Sequence, residues 1–274
     1  MTGPTAAALV LLFAAAPPLP FAARVDGARA VERARYAFVL DAAKPFDDVY
    51  PRSVFEKMVT REAAEEDVLR REFGMEVTRE LLAAEYDRIE KETRAPDQWE
   101  AMKKALGNDR GRVEQVVCRP LLVDRALRAR FAFDAKIHAA ERQKARDARN
   151  AFLGGGKPAG AERIRLSRRA SRAGSTDDML AKARADAAGP KLLSPGAPKT
   201  TDDGAPLPVD PEMAQALEKE LKAKGDVTTI LEERGRFSVF RLVTAAADEW
   251  LVDGVRVPKR DFEKWIESRI GTAR

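Results

Sequence analysis

VFEKMVTREAAEEDVLRREFGMEVTRELLAAEYDRI, residues 54–89, sets the character of the first half of the chain. Phe55, Met58, Val59, Val68, Leu69 and Phe73 recur at helical spacing and predict one apolar stripe along a long helix. Ser53 with Glu56 reads as a capping box at its start, and Gly74 as the residue that stops it. Thr78 then caps a second helix, with Val77 placed to staple onto Leu82, and Leu82, Tyr86 and Ile89 fall on one side. Further along, Asp97 with Glu100 opens a third helix that buries Trp99, Met102 and Leu106 and ends at Gly107. Asp109 opens a fourth, carrying Val113, Val116, Val117, Leu121, Leu127 and Phe131. Pro120 is expected to kink or divide it, because proline has no N–H to donate. A polar helix with His138 and Arg142 follows and fades into the glycine-rich residues 153–158, which read as a flexible joint.

Composition narrows the function. The 274 residues hold 45% hydrophobic and 34% charged side chains, a globular balance. The net charge of +5 comes from 49 Lys and Arg against 44 Asp and Glu, a mixture of signs that is weak support for nucleic-acid binding. One cysteine, Cys118, and one histidine, His138, exclude an internal disulfide, a Cys/His zinc site and any two-histidine catalytic device. No cofactor and no metal are expected. Cys118 lies among Val116, Val117 and Leu121, where a small buried apolar role is expected. His138, between Ile137 and Ala139, is assigned a surface or packing role. Glu62, Glu65, Glu66 and Asp67 alternate with Arg61, Arg70 and Arg71 and read as a solvated, salt-linked helix face.

The first 23 residues carry no charged side chain, and residues 6–16 are an unbroken apolar run followed by Pro17, Pro18 and Pro20. The run suits a signal peptide and is too short for a membrane span of about 20 residues, with Ala22 and Ala23 as small residues for cleavage. A periplasmic location follows, with an uncleaved N-terminal anchor as the alternative, since the segment before the run lacks Lys and Arg. Export also argues against a nucleic-acid partner.

The second half changes character. Between residues 157 and 172, six basic side chains (Lys157, Arg163, Arg165, Arg168, Arg169 and Arg172) face one acid, Glu162. Such density raises a local potential for anionic lipid headgroups or acidic clients, and neutralisation by acidic helices of the same chain stays equally open. Ile164 and Leu166 alternate as a strand would. A helix is expected over residues 175–186, then a loop over 189–211 with six prolines. Asp210 and Pro211 open a helix bearing Met213, Leu217 and Leu221. Residues 227–231 and 237–243 read as a hairpin. A second hairpin is expected from 250–252 and 255–257 around the turn-forming Asp253-Gly254, followed by a last helix with Phe262, Trp265 and Ile266.

This order of parts resembles the SurA-like and PpiC-type foldases, in which a helical chaperone domain is joined to a parvulin peptidyl-prolyl isomerase domain. Residues 53–130, with the Gly-x-x-Val-Thr turn at Gly74 to Thr78, look like the helical domain. Residues 213–243, MAQALEKELKAKGDVTTILEERGRFSVFRLV, are similar to the parvulin ending. Where that family has Gly-Tyr-His in its last strand, this chain has Arg236-Phe237-Ser238. Where its first strand has a histidine, this chain has Arg163-Ile164-Arg165-Leu166.

The resemblance implies an α+β fold: a signal peptide at 1–23, a helical chaperone-like domain at 24–152, a joint at 153–160, and a degenerate parvulin-like domain with antiparallel strands at 161–246. A C-terminal hairpin and helix would occupy 247–274. It implies a periplasmic chaperone for unfolded exported or outer-membrane polypeptides, with no catalytic residue and little or no isomerase activity. The alternatives are an active, divergent prolyl isomerase and an envelope-tethered assembly protein. Met213, Leu217, Phe237, Ser238 and Phe240 would line the substrate-binding wall, and Arg163, Arg165, Arg168, Arg169 and Arg172 would offer a contact to anionic membrane.

Overall fold

The computed structural model describes residues 15–39, 44–168 and 206–271. The mixed helix and antiparallel sheet expected from the sequence is present, in two compact units: residues 1–131 with 261–274, and residues 132–260. The expected helix at 175–186, most of the proline loop, Arg169, Arg172 and the apolar run up to Ala14 lie outside the described residues.

The first unit is helical. It contains α1 (Phe21–Tyr36), α2 (Phe46–Val49), α3 (Arg52–Phe73), α4 (Arg79–Glu92) and α5 (Pro96–Ala105). Then come α6 (Arg110–Val113), a π turn (Glu114–Cys118), α7 (Arg119–Phe133), which runs on from it, and at the far end of the chain α10 (Phe262–Gly271). Several terminators act as the sequence implies. Gly74 ends α3 at φ 63°, where a side chain would be strained, and its N–H donates to the Arg70 carbonyl. Thr78 and Asp109 accept from Leu81 N–H and Arg112 N–H, and Val77 and Leu82 are both buried. Two caps differ. Helix α3 begins after Pro51 with no side-chain cap, so Ser53 and Glu56 form no capping box, and α5 begins with Pro96 in its first turn after Ala95, not at Asp97.

Pro120 does not divide its helix. The turn just before it widens, with Arg119 N–H reaching back five residues to the Glu114 carbonyl. Relaxing the turn into a π form accommodates the missing donor without ending the helix. Val25, Ala28, Phe46, Phe55 and Val59 form a core between α1, α2 and α3. The C-terminal helix completes the same unit: Trp265 packs against the Phe73 and Phe131 rings at 5.9 and 5.1 Å.

The N-terminal segment is tied into this unit. Ala16 is buried, its N–H donates to the Val77 carbonyl, and its own carbonyl accepts from the Arg119 guanidinium. The expected cleavage residues Ala22 and Ala23 sit in the first turn of α1.

The second unit is a three-layer sandwich. A four-stranded antiparallel sheet has the order β1-β4-β3-β2, from β1 (Glu162–Ser167), β2 (Leu231–Glu232), β3 (Arg236–Ala245) and β4 (Glu249–Pro258). On one face α8 (Ala139–Leu153) buries Ala145, Ala148 and Phe152 against Phe237, Val239, Val255 and Val257. On the other, α9 (Pro211–Glu220) buries Ala214 and Leu217 against Ile164, Leu166, Phe240, Leu242, Trp250 and Val252. The alternation along β3 distributes its side chains between the two layers.

The domain boundary therefore differs from the sequence expectation. Helix α8 and residues 153–160 belong to the sheet unit. Arg241 donates to the carbonyls of Gly155 and Gly156, so the stretch read as a joint is fastened to the sheet.

The second expected hairpin is also corrected. Asp253 and Gly254 lie inside β4, paired with Arg163 and Glu162 on one side and with Arg241 and Phe240 on the other. Gly254 does not have positive φ, and a Cβ there would come within 2.7 Å of the Phe240 ring and 2.9 Å of Ile164 Cδ1. The glycine is used for close packing of an aromatic ring across the strand, not for a turn.

Candidate functional site

The residues expected to line a substrate wall do not form one. Leu217 and Phe240 lie in the core beneath α9, with Met213 partly buried against the same cluster, while Phe237 lies on the opposite face beneath α8. Ser238 is fully buried, and its hydroxyl donates to Glu233 Oε2 at 2.8 Å. Four of the five side chains are thus buried, divided between the two layers of packing.

The three described arginines of the run, Arg163, Arg165 and Arg168, each pair with an acid of the chain. Arg163 pairs with Asp253 at 2.7 Å, Arg165 with Glu249 at 2.7 Å, and Arg168 with Glu218 at 2.6 Å. The acids stand on β4 and α9. Asp253 accepts from Arg241 as well. Burial raises its pKa, and the Arg163 and Arg241 guanidiniums outweigh this and hold it below the usual carboxylate value.

A second polar cluster in the sheet unit was not read from sequence. His138 is fully buried at the start of α8, and its Nδ1 accepts from Arg260 N–H. Nearby, Lys259 Nζ donates to the Ala132 carbonyl and to Glu232 Oε1, and lies over the Phe133 and Phe237 rings. Glu232 also pairs with Arg142. The cluster holds a cationic amine, a carboxylate and an imidazole, but these groups are spent on one another, on backbone and on rings. It fixes α8 to the strands. The only sequence signal was the isolated His138 beside Ile137.

In the helical unit the α3 acids divide: Asp67 with Arg70 and Arg71, and Glu65 with Arg61, form the expected salt-linked face, while Glu62 and Glu66 turn to buried arginines. Glu62 pairs with the buried Arg24 at 3.2 Å, and Glu65 with Arg61 at 2.8 Å. Burial is the main influence on both and raises their pKa values, despite the partnering arginines. Glu66 reaches the buried Arg119 at 3.4 Å. Cys118 is buried as expected, with its thiol pushed up to about 12 by burial. Among the described residues no His, Cys, Asp and Glu group could hold a metal ion, and no helix is long and apolar enough to cross a membrane.

Two open features remain, both in the helical unit. Nine large apolar side chains are exposed among the described residues, and six of them lie between residues 21 and 58: Phe21, Phe38, Val39, Val49, Val54 and Met58. Val54 and Met58 are one turn apart on α3. The second feature is a cleft of about 380 Å³ where α4 and α6 begin, bordered by Pro17, Leu19, Leu82, Arg79, Arg112 and Gln115.

Comparison with known proteins finds no matching family model, no matching curated protein and no matching solved structure.

Proposed function

We propose that the protein is a chaperone that binds unfolded exported polypeptides through the helical unit and does not catalyse prolyl isomerisation. The observation that carries this reading is the concentration of exposed apolar side chains between residues 21 and 58, on the first three helices and the turn after α1, among them Phe38, Val39, Val54 and Met58. Apolar groups left in water are a reservoir of binding free energy for extended chains, and the charged side chains around them keep the complex soluble. The burial of the wall residues and the single histidine of the chain support a sheet unit whose role is architectural. The apolar N-terminal run supports an envelope location.

The test is suppression of aggregation of a urea-unfolded outer-membrane protein on dilution. The full chain is expected to suppress it at a near-equimolar ratio, and Val54→Ser with Met58→Ser to weaken suppression several-fold. No suppression across a titration would remove the reading. A protease-coupled proline-peptide assay should show no acceleration.

A further inference from the structure

We infer that the cleft at the starts of α4 and α6 is a receptor for the carboxyl-terminal end of a polypeptide chain, a deepening that rests on the chaperone reading. Four observations converge on this occupant. First, neither the Arg79 nor the Arg112 guanidinium has a hydrogen bond or ion pair among the described residues, although both border the cleft. Second, the acids beside them are occupied: Asp109 Oδ1 accepts from Arg112 N–H at 3.1 Å, and Glu114 pairs with Arg110 at 2.8 Å. With Glu114 paired, the cleft border holds two guanidiniums against the one remaining carboxylate, Asp109, with Glu80 next to Arg79 on α4.

Third, Gln115 Oε1 is shut off from solvent with no hydrogen-bond partner. Gln115 also borders the cleft, and rotation of its side-chain amide towards a ligand N–H would satisfy this acceptor. Fourth, Pro17, Leu19 and Leu82 supply an apolar wall beside the polar groups. A carboxylate for two guanidiniums, an N–H for the glutamine and an apolar side chain for the wall are what the last residues of a peptide offer together. A simple anion lacks the donor, and a lipid phosphate offers neither the amide nor a side chain. The opening turn of α4 adds the favourable end of its backbone dipole.

The experiment is fluorescence anisotropy on the full chain with a labelled apolar pentapeptide, prepared with a free carboxylate and as its carboxamide. The free acid is expected to bind at least roughly tenfold more tightly, the increment of a charge-assisted hydrogen-bonded pair. Arg79→Gln with Arg112→Gln should abolish the preference, and Gln115→Glu should weaken the acid by repulsion. Far-ultraviolet circular dichroism of each variant checks that these exposed or half-exposed positions leave the helices intact. Equal binding of acid and amide, or competition by millimolar acetate as effective as by the peptide, overturns the assignment. The same samples are carried through the aggregation assay: suppression without carboxylate preference sinks the cleft assignment alone, and loss of both sinks the chaperone reading with it.

Discussion

Adding one methyl group at Gly254 tests whether Asp253-Gly254 is the middle of a strand or the tip of a turn. Built on this backbone, an alanine Cβ lies 2.7 and 2.8 Å from two atoms of the Phe240 ring and 2.9 Å from Ile164 Cδ1. Ordinary carbon contacts need about 3.5–4.0 Å, so the ring must retreat by about 1 Å. Phe240 is 2% exposed and packed among Leu217, Leu242 and Trp250, where there is no vacant direction. Overpacking of this kind costs about 1–3 kcal/mol, and the reduced entropy of the unfolded chain returns about 0.4–1 kcal/mol. Gly254→Ala is therefore expected to destabilise the sheet unit by about 1–2 kcal/mol, a fall in Tm of roughly 3–10 °C. Phe240→Leu alone also destabilises, but it opens the space the alanine needs. The double variant should therefore be more stable than the sum of the two by at least about 1 kcal/mol in urea titrations. At a turn, the glycine would be needed for positive φ and Phe240 would be remote, so the two losses would add. Additivity to within about 0.5 kcal/mol would refute the strand assignment.

Other consequences are checked by standard measurements. Asp253→Asn should weaken the sheet unit at neutral pH. The carboxyl is held below its unfolded value, so its contribution is complete above about pH 4 and lost as pH falls further, and the gap to the variant should close between pH 5 and 2 in urea titrations. Glu62 has the opposite sign: its pKa is raised, so its ionisation costs stability as pH rises through the folded value. The stability of Glu62→Gln relative to the parent should therefore grow between pH 4 and 7, and a constant difference would contradict the burial argument. The Cys118 thiol should be silent to Ellman's reagent at pH 8 in the folded protein and give one equivalent after denaturation. Removing residues 1–20 should destabilise the helical unit by about 1.5–3 kcal/mol more than removing residues 1–14. The longer deletion takes the Ala16 carbonyl from the buried Arg119 guanidinium, and equal stabilities of the two truncations would contradict that role.

Helices were legible in the sequence where local chemistry decides them. The Gly74 stop and the Thr78 and Asp109 caps follow from a few neighbouring residues and are used in the structure, and Val77 and Leu82, placed by the sequence as a staple, are both buried. Strand pairing depends on partners far along the chain. The Asp253-Gly254 dipeptide carries a strong local turn signal, overridden because Arg163 and Arg241 neutralise the aspartate and Phe240 fills the place of the missing side chain. The wall residues failed for the same reason. Alternation along residues 237–240 shows that β3 has two faces but not that both are covered, and the second cover, α8, was read as part of the other domain. The cleft was not legible at all, since its two arginines stand more than 30 positions apart and its wall begins in the N-terminal segment.

That N-terminal segment connects the export reading to the fold. Arg119 is 1% exposed, and burial lowers its pKa, so its charge is retained at a cost that its hydrogen bonds must offset. Its acceptors are the Ala16 carbonyl and the Glu66 carboxylate, and the same alanine closes a backbone bond to Val77 beside the cap of α4. Cleavage at Ala22 and Ala23 would remove this acceptor, the Pro17 and Leu19 wall of the cleft and the first turn of α1. The Arg119 guanidinium would then keep only the Glu66 carboxylate at 3.4 Å, losing a buried hydrogen bond from a charged donor, which costs about 1.5–3 kcal/mol. Ala16 thus links three parts of the helical unit, since one residue serves the buried Arg119, the Val77 carbonyl beside the cap of α4 and the border of the cleft.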